Sequence, residues 1–289
     1  MANMVSNVNP KKFHKSQVKF FVILGLVALF MLLPIIYIIN HAFKPVEELF
    51  AYPPRFFVDN PTLDNFKRLL DATASSFIPI GRYIFNSLLV TVTVVVLTAF
   101  IATLSAYALS KLKFRGRVFL MEFNNFFLMF VSIAVTIPRY LIIQMLGITD
   151  TYLAHILPLL ATPVGLFLVK QFVDQIPNEL IEAAAIDGAS EFRTYRSVVL
   201  PLIRPAIATC CIMAFQAVWI NTETSVMYVE NEALKTLAYY MSTLTSNSNI
   251  VAGQGIAAAS TLIMFVPNIV IFVILQSKMM NTLAHSGIK

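Results

Sequence analysis

The feature that most constrains this sequence is a series of six apolar segments, each close to the length that crosses a lipid bilayer. A transmembrane helix needs about 20 mostly apolar residues. The six segments are Phe20–Ile39, Ile84–Leu109, Val118–Ile137, Tyr152–Val173, Ala206–Ile220 with a polar extension, and Ile256–Gln276. Because 58% of the 289 residues are apolar and only 12% are charged, the charges are too few to coat a soluble globule. The sequence therefore predicts an all-α polytopic membrane protein with six transmembrane helices.

The distribution of basic residues predicts the direction in which the chain crosses the membrane. Cytoplasmic loops of membrane proteins carry an excess of Lys and Arg. If the N-terminus is inside, two thirds of the 21 basic residues fall in inside segments. The loop of residues 110–117 carries four bases and no acid, whereas residues 43–82 balance five bases with five acids. We therefore expect an N-in and C-in orientation.

Several classes of function are disfavoured by the residues present. Nucleic-acid binding would need a clustered basic surface on a polar body, which this chain lacks. The adjacent Cys210 and Cys211 offer neither a disulfide framework nor a spaced metal site. The sequence contains no phosphate-binding loop for ATP and no nucleophile elbow for hydrolysis. We therefore predict no catalytic residue, no cofactor and no metal, and expect that the chain is not an enzyme.

Residues 174–205 interrupt the apolar pattern and read as two short helices with a turn between them. Pro177 suits the first position of a helix, and Glu179 complements the positive helix N-terminus. Gly188 permits a turn, and Ser190 can cap a second helix. A helix that lies on the bilayer surface would carry a basic polar face. The first half of this segment is acidic instead, which favours a groove on a protein partner.

The residue spacing in this segment points to a family. Glu182-Ala183-Ala184 is followed after three residues by Gly188, and after nine more by Val198-Val199-Leu200-Pro201. This pattern resembles the EAA motif of bacterial ABC importer permeases, with Val198 in place of the usual isoleucine. The continuation Asp187-Gly188-Ala189-Ser190 is similar to the carbohydrate-uptake branch. Along most of its length the chain resembles the shorter of the two permease subunits of maltose transporters.

The resemblance implies a domain organisation with the type I ABC importer permease fold. The expected parts are a cytoplasmic tail at 1–19, a first transmembrane helix at 20–42, an external loop at 43–83, a transmembrane domain at 84–276 with a cytoplasmic coupling loop at 174–205, and a second tail at 277–289. The stretch Tyr52-Pro53-Pro54-Arg55 is similar to the first external loop of sugar permeases.

The function implied by the resemblance is that of a permease subunit in the bacterial cytoplasmic membrane, importing a sugar at the expense of ATP. An oligosaccharide is the expected substrate. The expected partners are a second permease, two copies of a cytoplasmic ABC ATPase, an external sugar-binding protein and membrane lipid, but no nucleic acid. Two alternatives stay open: an ABC importer permease for a non-sugar solute, and a self-sufficient secondary carrier. A carrier would need coupling-ion ligands near the middle of the membrane, and the sequence offers none.

Two sets of site residues follow. In the ATPase-coupling set, which also includes Asp187, Glu182 is the expected polar anchor, Ala183 and Ala184 the close-packing surface, Gly188 the turn, and Leu200 with Pro201 the link to the fifth span. In the substrate path, Gln216, Asn221 and Glu223 have side chains that hydrogen-bond sugar hydroxyls, and Trp219 has a ring that stacks on a sugar. Trp219 is equally suited to the aromatic belt of the membrane interface. The polar segment 221–255 resembles the loop that sugar permeases present to their binding proteins.

Overall fold

The computed structural model describes residues 17–74, 77–130, 132–246 and 252–286. All regular secondary structure in these ranges is helical, which confirms the all-α prediction. The helices are α1 (Val18–Phe43), α2 (Val46–Leu49), α3 (Asp64–Ala74), α4 (Ile80–Lys111), α5 (Arg117–Phe127), α6 (Thr136–Met145), α7 (Tyr152–Leu160), α8 (Pro163–Asp174), α9 (Asn178–Ile186), α10 (Glu191–Thr194), α11 (Leu200–Leu202), α12 (Arg204–Trp219), α13 (Glu223–Met227), α14 (Leu237–Ser246) and α15 (Ala252–Ser286).

Three helices in the described residues are long and apolar enough to cross a membrane by themselves: α1, α4 and the Gly253–Gln276 part of α15. Two helix pairs meet the same criterion only as bent spans. One pair is α7 with α8, and the other is Glu191–Leu202 with α12. These ranges therefore hold three candidate spans, or up to five, and the predicted count of six is not confirmed. The N-in and C-in orientation stays a prediction.

The third predicted span, Val118–Ile137, does not form one continuous helix. Helix α5 ends at Phe127, and a 3-10 turn at Ser132–Val135 leads into α6. Pro138 disfavours an α-helical turn over residues 134–137, because proline has no N–H to donate to residue 134 and its ring crowds that turn; the end of α5 at Phe127 lies too far away for this effect. Proline is tolerated in the first turn of a helix, which is where α6 places Pro138. Hydropathy alone groups residues 118–137 as one apolar segment and does not register the proline just beyond it.

Both bent spans have a proline at the start of their second helix. Helices α7 and α8 meet at 47°, with Pro163 as the first residue of α8. The residue before a proline is pushed out of the helical region, and Thr162 lies at φ −117° and ψ 82°. The second pair meets at 80° next to Pro205, the second residue of α12. Proline therefore accounts for the position of both bends.

Contacts divide the chain into two compact units, Met1–Leu69 with Ser248–Leu262 and Leu70–Asn247 with Ile263–Lys289. In the larger unit, α4, α8 and α12 pack around buried small residues that include Ala106 and Ala206. Small side chains let helix backbones approach closely inside a membrane. At Gly165 of α8, an added Cβ would lie 3.1 Å from Cys210 Sγ on α12. Glycine at this position therefore permits the close crossing of these two helices.

In the smaller unit, a buried side chain ties the end of α1 to the start of α15. Asn65 is fully buried, and its Nδ2 donates hydrogen bonds to the carbonyl oxygens of Ala42 (3.1 Å) and Lys44 (2.8 Å). These bonds satisfy carbonyls that the end of a helix leaves without partners. A Cβ on Gly255 would lie 2.6 Å from Asn65 Cγ, so only glycine fits where α15 passes this amide.

Candidate coupling segment and substrate path

The predicted coupling loop folds as two short helices, as its sequence indicates. Helix α9 begins at Asn178, with Pro177 immediately before it and Glu179 in its first turn. The helix starts one residue later than Pro177, which the sequence analysis placed at the first helical position. The acidic side chain of Glu179 lies where it complements the positive end of the helix.

Gly188 ends α9 in a left-handed turn, as its sequence position predicts. Its φ is +77°, its N–H donates to the carbonyl of Ala185 (3.0 Å), and the N–H of Ala189 donates to the carbonyl of Ala184 (2.9 Å). This pair of bonds is the Schellman arrangement, which satisfies the last carbonyls of a helix. A Cβ at residue 188 would meet no atom within 4 Å, so a side chain there is disfavoured by backbone conformation rather than by crowding.

Ser190 caps the second helix, because its Oγ accepts a hydrogen bond from the Arg193 N–H at 3.4 Å. Helix α10 then widens into a π-helical turn at Tyr195–Val199. Pro201 follows this turn, and its missing N–H and bulky ring disfavour a regular α-helical turn before it.

Leu200 and Pro201 lie in α11, just before the 80° bend that leads into α12. Leu200 is half-buried against the core of the larger unit, whereas Pro201 is exposed. Both residues therefore lie where the coupling segment joins the fifth predicted span.

The residues of the predicted coupling set on α9 and its turn face away from the fold. Glu182, Ala183, Asp187 and Gly188 are exposed, and Ala184 is half-buried. Large apolar side chains are exposed on the same segment: Leu180 (45%), Ile186 (86%) and Phe192 (60%). A small-residue surface with acidic and apolar groups is suited to contact with another protein.

The opposite side of the coupling segment is held by the C-terminal end of α4. The Tyr107 hydroxyl donates to Glu191 Oε2 at 2.5 Å, and the Ser110 hydroxyl donates to an Asp174 carboxylate oxygen. Lys111 Nζ donates to the carbonyl of Ile176 (2.5 Å). These bonds fix the segment from α8 to α10 on the end of one long helix.

Sequence analysis missed this anchor on α4. Tyr107, Ser110 and Lys111 are spaced by three and four residues, so they share one face of a helix. Polar residues on one face at the end of an apolar span are the signal that marks such an anchor. Their partners were not evident from the sequence, because Asp174 and Glu191 lie more than sixty residues further along the chain.

Of the predicted substrate-path residues on α12, Gln216 is exposed and Trp219 is buried. The Trp219 ring stacks on Phe215 with 5.5 Å between ring centroids, and its Nε1–H donates to the carbonyl of Met264 (3.0 Å). In this conformation the indole joins α12 to α15, and its N–H is already used.

The other two predicted path residues lie beyond the end of α12 and take part in local bonds. Asn221 Oδ1 accepts a hydrogen bond from the N–H of Thr224 (3.0 Å). The carboxylate of Glu223 pairs with Arg139 of α6 at 3.3 Å, and both side chains are partly exposed. The structure therefore brings Gln216, Asn221 and Glu223 to one end of the α12 region, but leaves Asn221 and Glu223 partly engaged.

A buried polar cluster beside these residues was also missed by sequence analysis. Asn86 of α4 is fully buried, and its Nδ2 donates to the carbonyls of Ala233 and Lys235, both at 2.9 Å. Its Oδ1 accepts from the Tyr152 hydroxyl (2.8 Å). The Ser87 hydroxyl accepts from the N–H of Leu237 at 2.8 Å. The adjacent Asn-Ser pair at the start of an apolar span was the signal for this cluster.

His155 of α7 belongs to the same cluster, and its side chain is fully buried. Its Nδ1 lies 2.8 Å from Thr224 Oγ1, and its Nε2 lies 3.1 Å from the carbonyl oxygen of Leu234. Because a carbonyl oxygen only accepts, Nε2 carries the proton in that bond. Burial in a polar pocket explains why a histidine is found in this apolar helix.

Outside the spans, Lys235 has an altered proton affinity. Burial of its ammonium favours a lower pKa, but hydrogen bonds to Glu232 and Tyr239 and the charge of Glu232 outweigh burial. The pKa of Lys235 is therefore raised above the ordinary 10.5. No group of three or more His, Cys, Asp and Glu side chains within the described ranges could hold a metal ion.

Bent candidate spans, a buried polar cluster and an exposed helix–turn–helix together describe a multi-pass helical membrane protein with an exposed surface suited to a protein partner. The chain belongs to the family of binding-protein-dependent transport system inner membrane components, whose model matches residues 64–277. It is therefore a multi-pass protein of the cytoplasmic membrane, and the family predicted from the motif of residues 182–201 is confirmed.

Two relatives from Bacillus subtilis illustrate the similarity. The polygalacturonan/rhamnogalacturonan transport system permease protein YtcP is 33% identical over 210 residues, which cover 71% of this chain and 70% of YtcP. The maltodextrin transport system permease protein MdxG is 31% identical over 232 residues, which cover 79% of this chain and 81% of MdxG.

The fold is also similar to a solved structure. A chain in the crystal structure of a bacterial ABC transporter that imports the acidic polysaccharide alginate superposes with a TM-score of 0.76 at 22% identity. The superposition covers 93% of this chain and 99% of that chain. This likeness confirms the importer-permease fold expected from the sequence.

Proposed function

We propose that this protein is the permease subunit of an ATP-driven importer that moves a sugar, specifically an oligosaccharide, across the cytoplasmic membrane. The family assignment supports a transport component, and YtcP and MdxG are named for transport of polygalacturonan/rhamnogalacturonan and of maltodextrin. The observation that carries the proposal is the exposed helix–turn of residues 182–188, whose flanking residues Asp174, Ile176 and Glu191 are hydrogen-bonded to α4.

ATP hydrolysis in this proposal takes place on two copies of a separate cytoplasmic ATPase. Ala183 and Ala184 let an ATPase surface approach the α9 backbone closely, since neither side chain extends beyond Cβ. Glu182 supplies a charge-assisted hydrogen bond, which is worth about 1.5–3 kcal/mol. Asp187 and Gly188 make the turn, and Leu200 with Pro201 transmits its displacement into α12 across the 80° bend.

The sugar path in this proposal runs past the end of α12. Gln216 is free to face a sugar, and Asn221 and Glu223 exchange local bonds for bonds to hydroxyl groups when a sugar arrives. Separation of Glu223 from Arg139 at 3.3 Å would cost little, because a partly exposed ion pair contributes about 0–1 kcal/mol. Trp219 contacts sugar only if its indole leaves the Phe215 ring and gives up its hydrogen bond to the Met264 carbonyl of α15, which makes this residue the most demanding part of the path.

The proposed topology keeps six spans with both termini inside. The loop of residues 110–117 supports this arrangement through its four bases, and the acidic coupling segment then faces the ATPase. Single cysteines at positions 60, 115 and 190 test it through labelling with a reagent that does not cross the membrane. We expect labelling from outside only at residue 60, and outside labelling at residue 115 or 190 would contradict the topology.

A second permease completes the membrane part of the proposed importer, and an external sugar-binding protein delivers the substrate. The segment 221–255 is the proposed docking surface for the binding protein. Residues 247–251 of this segment lie outside the described residues, as do the tail ends at 1–16 and 287–289. Deletion of residues 245–249 should reduce uptake while leaving assembly and basal ATP hydrolysis intact, and normal uptake would contradict the docking role.

The transported solute is tested with the complete importer in proteoliposomes, with partner permease, ATPase and binding protein present. ATP hydrolysis and uptake are measured with maltodextrins, galacturonan oligosaccharides, a peptide mixture and phosphate. We expect stimulation only by an oligosaccharide. Stimulation only by peptide or phosphate would support the non-sugar alternative, and uptake without the ATPase subunit would support a secondary carrier.

A further inference from the structure

The short connection after α4 concentrates positive charge that the proposed transport cycle does not use. We call residues 111–119 the basic corner. It comprises the end of α4, a short loop and the first turn of α5, and it contains Lys111, Lys113, Arg115 and Arg117 but no acid. Four like charges within seven residues repel one another, so such a corner is more stable beside a negatively charged partner.

Within the residues that the structure describes, one of these four cations has a hydrogen-bond partner. Lys111 Nζ donates to the Ile176 carbonyl and to Asn178 Oδ1. None of the ion pairs in the described part of the chain involves Lys113, Arg115 or Arg117. Lys113 and Arg115 are exposed and Arg117 is half-exposed. Three cations of the basic corner are therefore available to a ligand.

A hollow of about 490 Å³ opens between Lys113 and Arg117. Its remaining lining is apolar and comes from Phe114, Val118 and Phe119, together with Gly116. These three side chains are exposed to 42%, 68% and 65%. The hollow thus combines two cationic side chains with an apolar lining, which matches a molecule with an anionic group next to a hydrocarbon group.

The first turn of α5 adds backbone donors to the same corner. Gly116 precedes the helix at φ +93° and provides no side-chain cap. The first hydrogen bond of the helix runs from the Leu120 N–H to the Gly116 carbonyl at 2.9 Å. The N–H groups of residues 117–119 are therefore free of intrahelical bonds and lie at the positive end of an 11-residue helix. Such a group of donors favours an oxyanion.

The depth of the basic corner in the membrane follows from α4. This helix is long and apolar enough to span the bilayer, and it ends at Lys111. A basic loop directly after such a helix is suited to the level of the lipid headgroups, and the exposed Phe114 and Phe119 beside it are suited to acyl chains. We propose that the basic corner is a binding site for an anionic phospholipid. The phosphate lies between Lys113 and Arg117, and the part of an acyl chain nearest the headgroup lies over Phe114 and Phe119.

Charge and apolar surface together favour lipid over a protein partner. Clusters of Lys and Arg directly beside a spanning helix are attracted to anionic headgroups, by about 1 kcal/mol for each residue. An acidic surface on the ATPase would pair with the cations of the basic corner. It would leave the apolar lining of Phe114, Val118 and Phe119 without an apolar partner. The lipid site depends on α4 spanning the membrane and not on which solute the importer carries.

The test titrates phosphatidylglycerol and phosphatidylcholine of equal chain length onto the complete purified importer, and counts bound lipids by native mass spectrometry. The variant Lys113→Gln with Arg117→Gln removes two cations. We expect its half-saturating concentration of phosphatidylglycerol at one site to rise by roughly thirtyfold, with phosphatidylcholine unaffected. The conservative variant Lys113→Arg with Arg117→Lys keeps the charges and should bind like the wild type, which separates charge from folding.

The matched control is Lys67→Gln with Arg68→Gln, which removes two exposed cations from α3. It should bind phosphatidylglycerol like the wild type. Equal losses in both charge-removing variants, or no loss in either, would overturn the proposal. If the variant at residues 113 and 117 instead releases the ATPase while keeping the lipid, the basic corner is a protein contact and the lipid site is wrong. Because lipid is counted directly, failure of the sugar assignment would leave this result unchanged.

Discussion

Helix α4 meets a polar cluster at each of its two ends, and the clusters use their hydrogen bonds in different ways. At the N-terminal end, Asn86 and Ser87 are buried, and they bond to the chain's own residues 233–237. At the C-terminal end, Tyr107 and its neighbours hold the back of the coupling segment, while Glu182 on its front is exposed.

Burial and hydrogen bonding therefore separate polar residues that stabilise the permease itself from polar residues that face a partner. A buried amide with every polar atom bonded contributes to the shape of the chain, because an unsatisfied group in the interior is costly. An exposed acid on a small-residue helix contributes little to the isolated chain and acquires a role only when a partner covers it. Substitutions at the two ends of α4 should therefore change different measurements.

The largest expected effect is at the turn of the coupling segment. Gly188→Val places a β-branched side chain at φ +77°, which costs about 1–3 kcal/mol and shifts the turn. We expect loss of sugar-stimulated ATP hydrolysis and uptake in proteoliposomes, with membrane insertion retained. Gly147→Val is the matched control, since Gly147 has φ +64° and also has free space around it. Equal loss of transport in both variants would contradict a specific role of Gly188 in coupling.

A large effect on stability is expected at the other end of α4. Asn86→Leu removes three hydrogen bonds, which costs about 2–5 kcal/mol: the Lys235 carbonyl loses this donor, the Tyr152 hydroxyl loses this acceptor, and the Ala233 carbonyl keeps its bond from Arg82 Nε. The thermal unfolding midpoint of the purified complex should fall, and Asn125→Leu, at an exposed asparagine, should leave it unchanged. If Asn86→Leu has the same unfolding midpoint as the wild type, the buried cluster does not stabilise the packing around the N-terminal end of α4.

A partner-dependent effect is expected at Glu182. Glu182→Lys replaces the proposed anchor by a like-sized base, so ATPase association should weaken by roughly ten- to hundredfold. The unfolding midpoint of the permease should stay constant because Glu182 is exposed and makes no described ion pair. Glu47→Lys carries the same charge change on α2 and should bind the ATPase normally. If Glu182→Lys lowered the unfolding midpoint and left the affinity for the ATPase unchanged, Glu182 would be a structural residue and not one that faces a partner.

A smaller effect is expected where α4 holds the coupling segment. Tyr107→Phe removes the hydroxyl that bonds Glu191 at 2.5 Å, a loss of about 1.5 kcal/mol because the acid is exposed. The ATPase should still assemble, but fewer sugar molecules should be imported for each ATP hydrolysed. Tyr140→Phe, at a partly exposed tyrosine of α6, is the control. An unchanged ratio of sugar to ATP would show that this anchor is not needed for coupling.

The smallest expected effect is a pH dependence of the unfolding midpoint, which arises from Lys235 in the segment bonded to Asn86. The pKa of Lys235 is raised in the folded state, so its ion pair contributes stability that is present below the ordinary pKa of 10.5 and is lost as the pH rises through the higher folded value. The unfolding midpoint of the wild type should therefore fall more steeply above pH 10.5 than that of Lys235→Gln. Parallel curves for the two proteins would show that the pair contributes nothing.

The sequence predicted the coupling segment more fully than the rest of the molecule, since its determinants are local. Gly188 and Ser190 specify a turn and a cap through their own backbone and side-chain chemistry, and both are found where they were expected. The single helix expected at Val118–Ile137 was wrong, because hydropathy measures apolar length and does not register the effect of Pro138.

The polar clusters could not be predicted because their partners are far apart in sequence. Asn86 contacts residues almost 150 positions away, and His155 contacts a carbonyl 79 positions away. Trp219 illustrates the same point, since no local pattern indicates that its N–H bonds to Met264. Residue types near the ends of spans identify candidates, but only the packing of helices decides which of them are buried.

The proposed function requires the front of the coupling segment to contact a separate ATPase. Photo-crosslinking from residue 186 tests it most directly, because the Ile186 side chain is 86% exposed at the end of α9. A benzoylphenylalanine at this position in the complete importer should crosslink to the ATPase, whereas the same probe at Met227 of α13, which is 45% exposed, should not. Crosslinking to the ATPase from residue 227 and not from residue 186 would contradict the account.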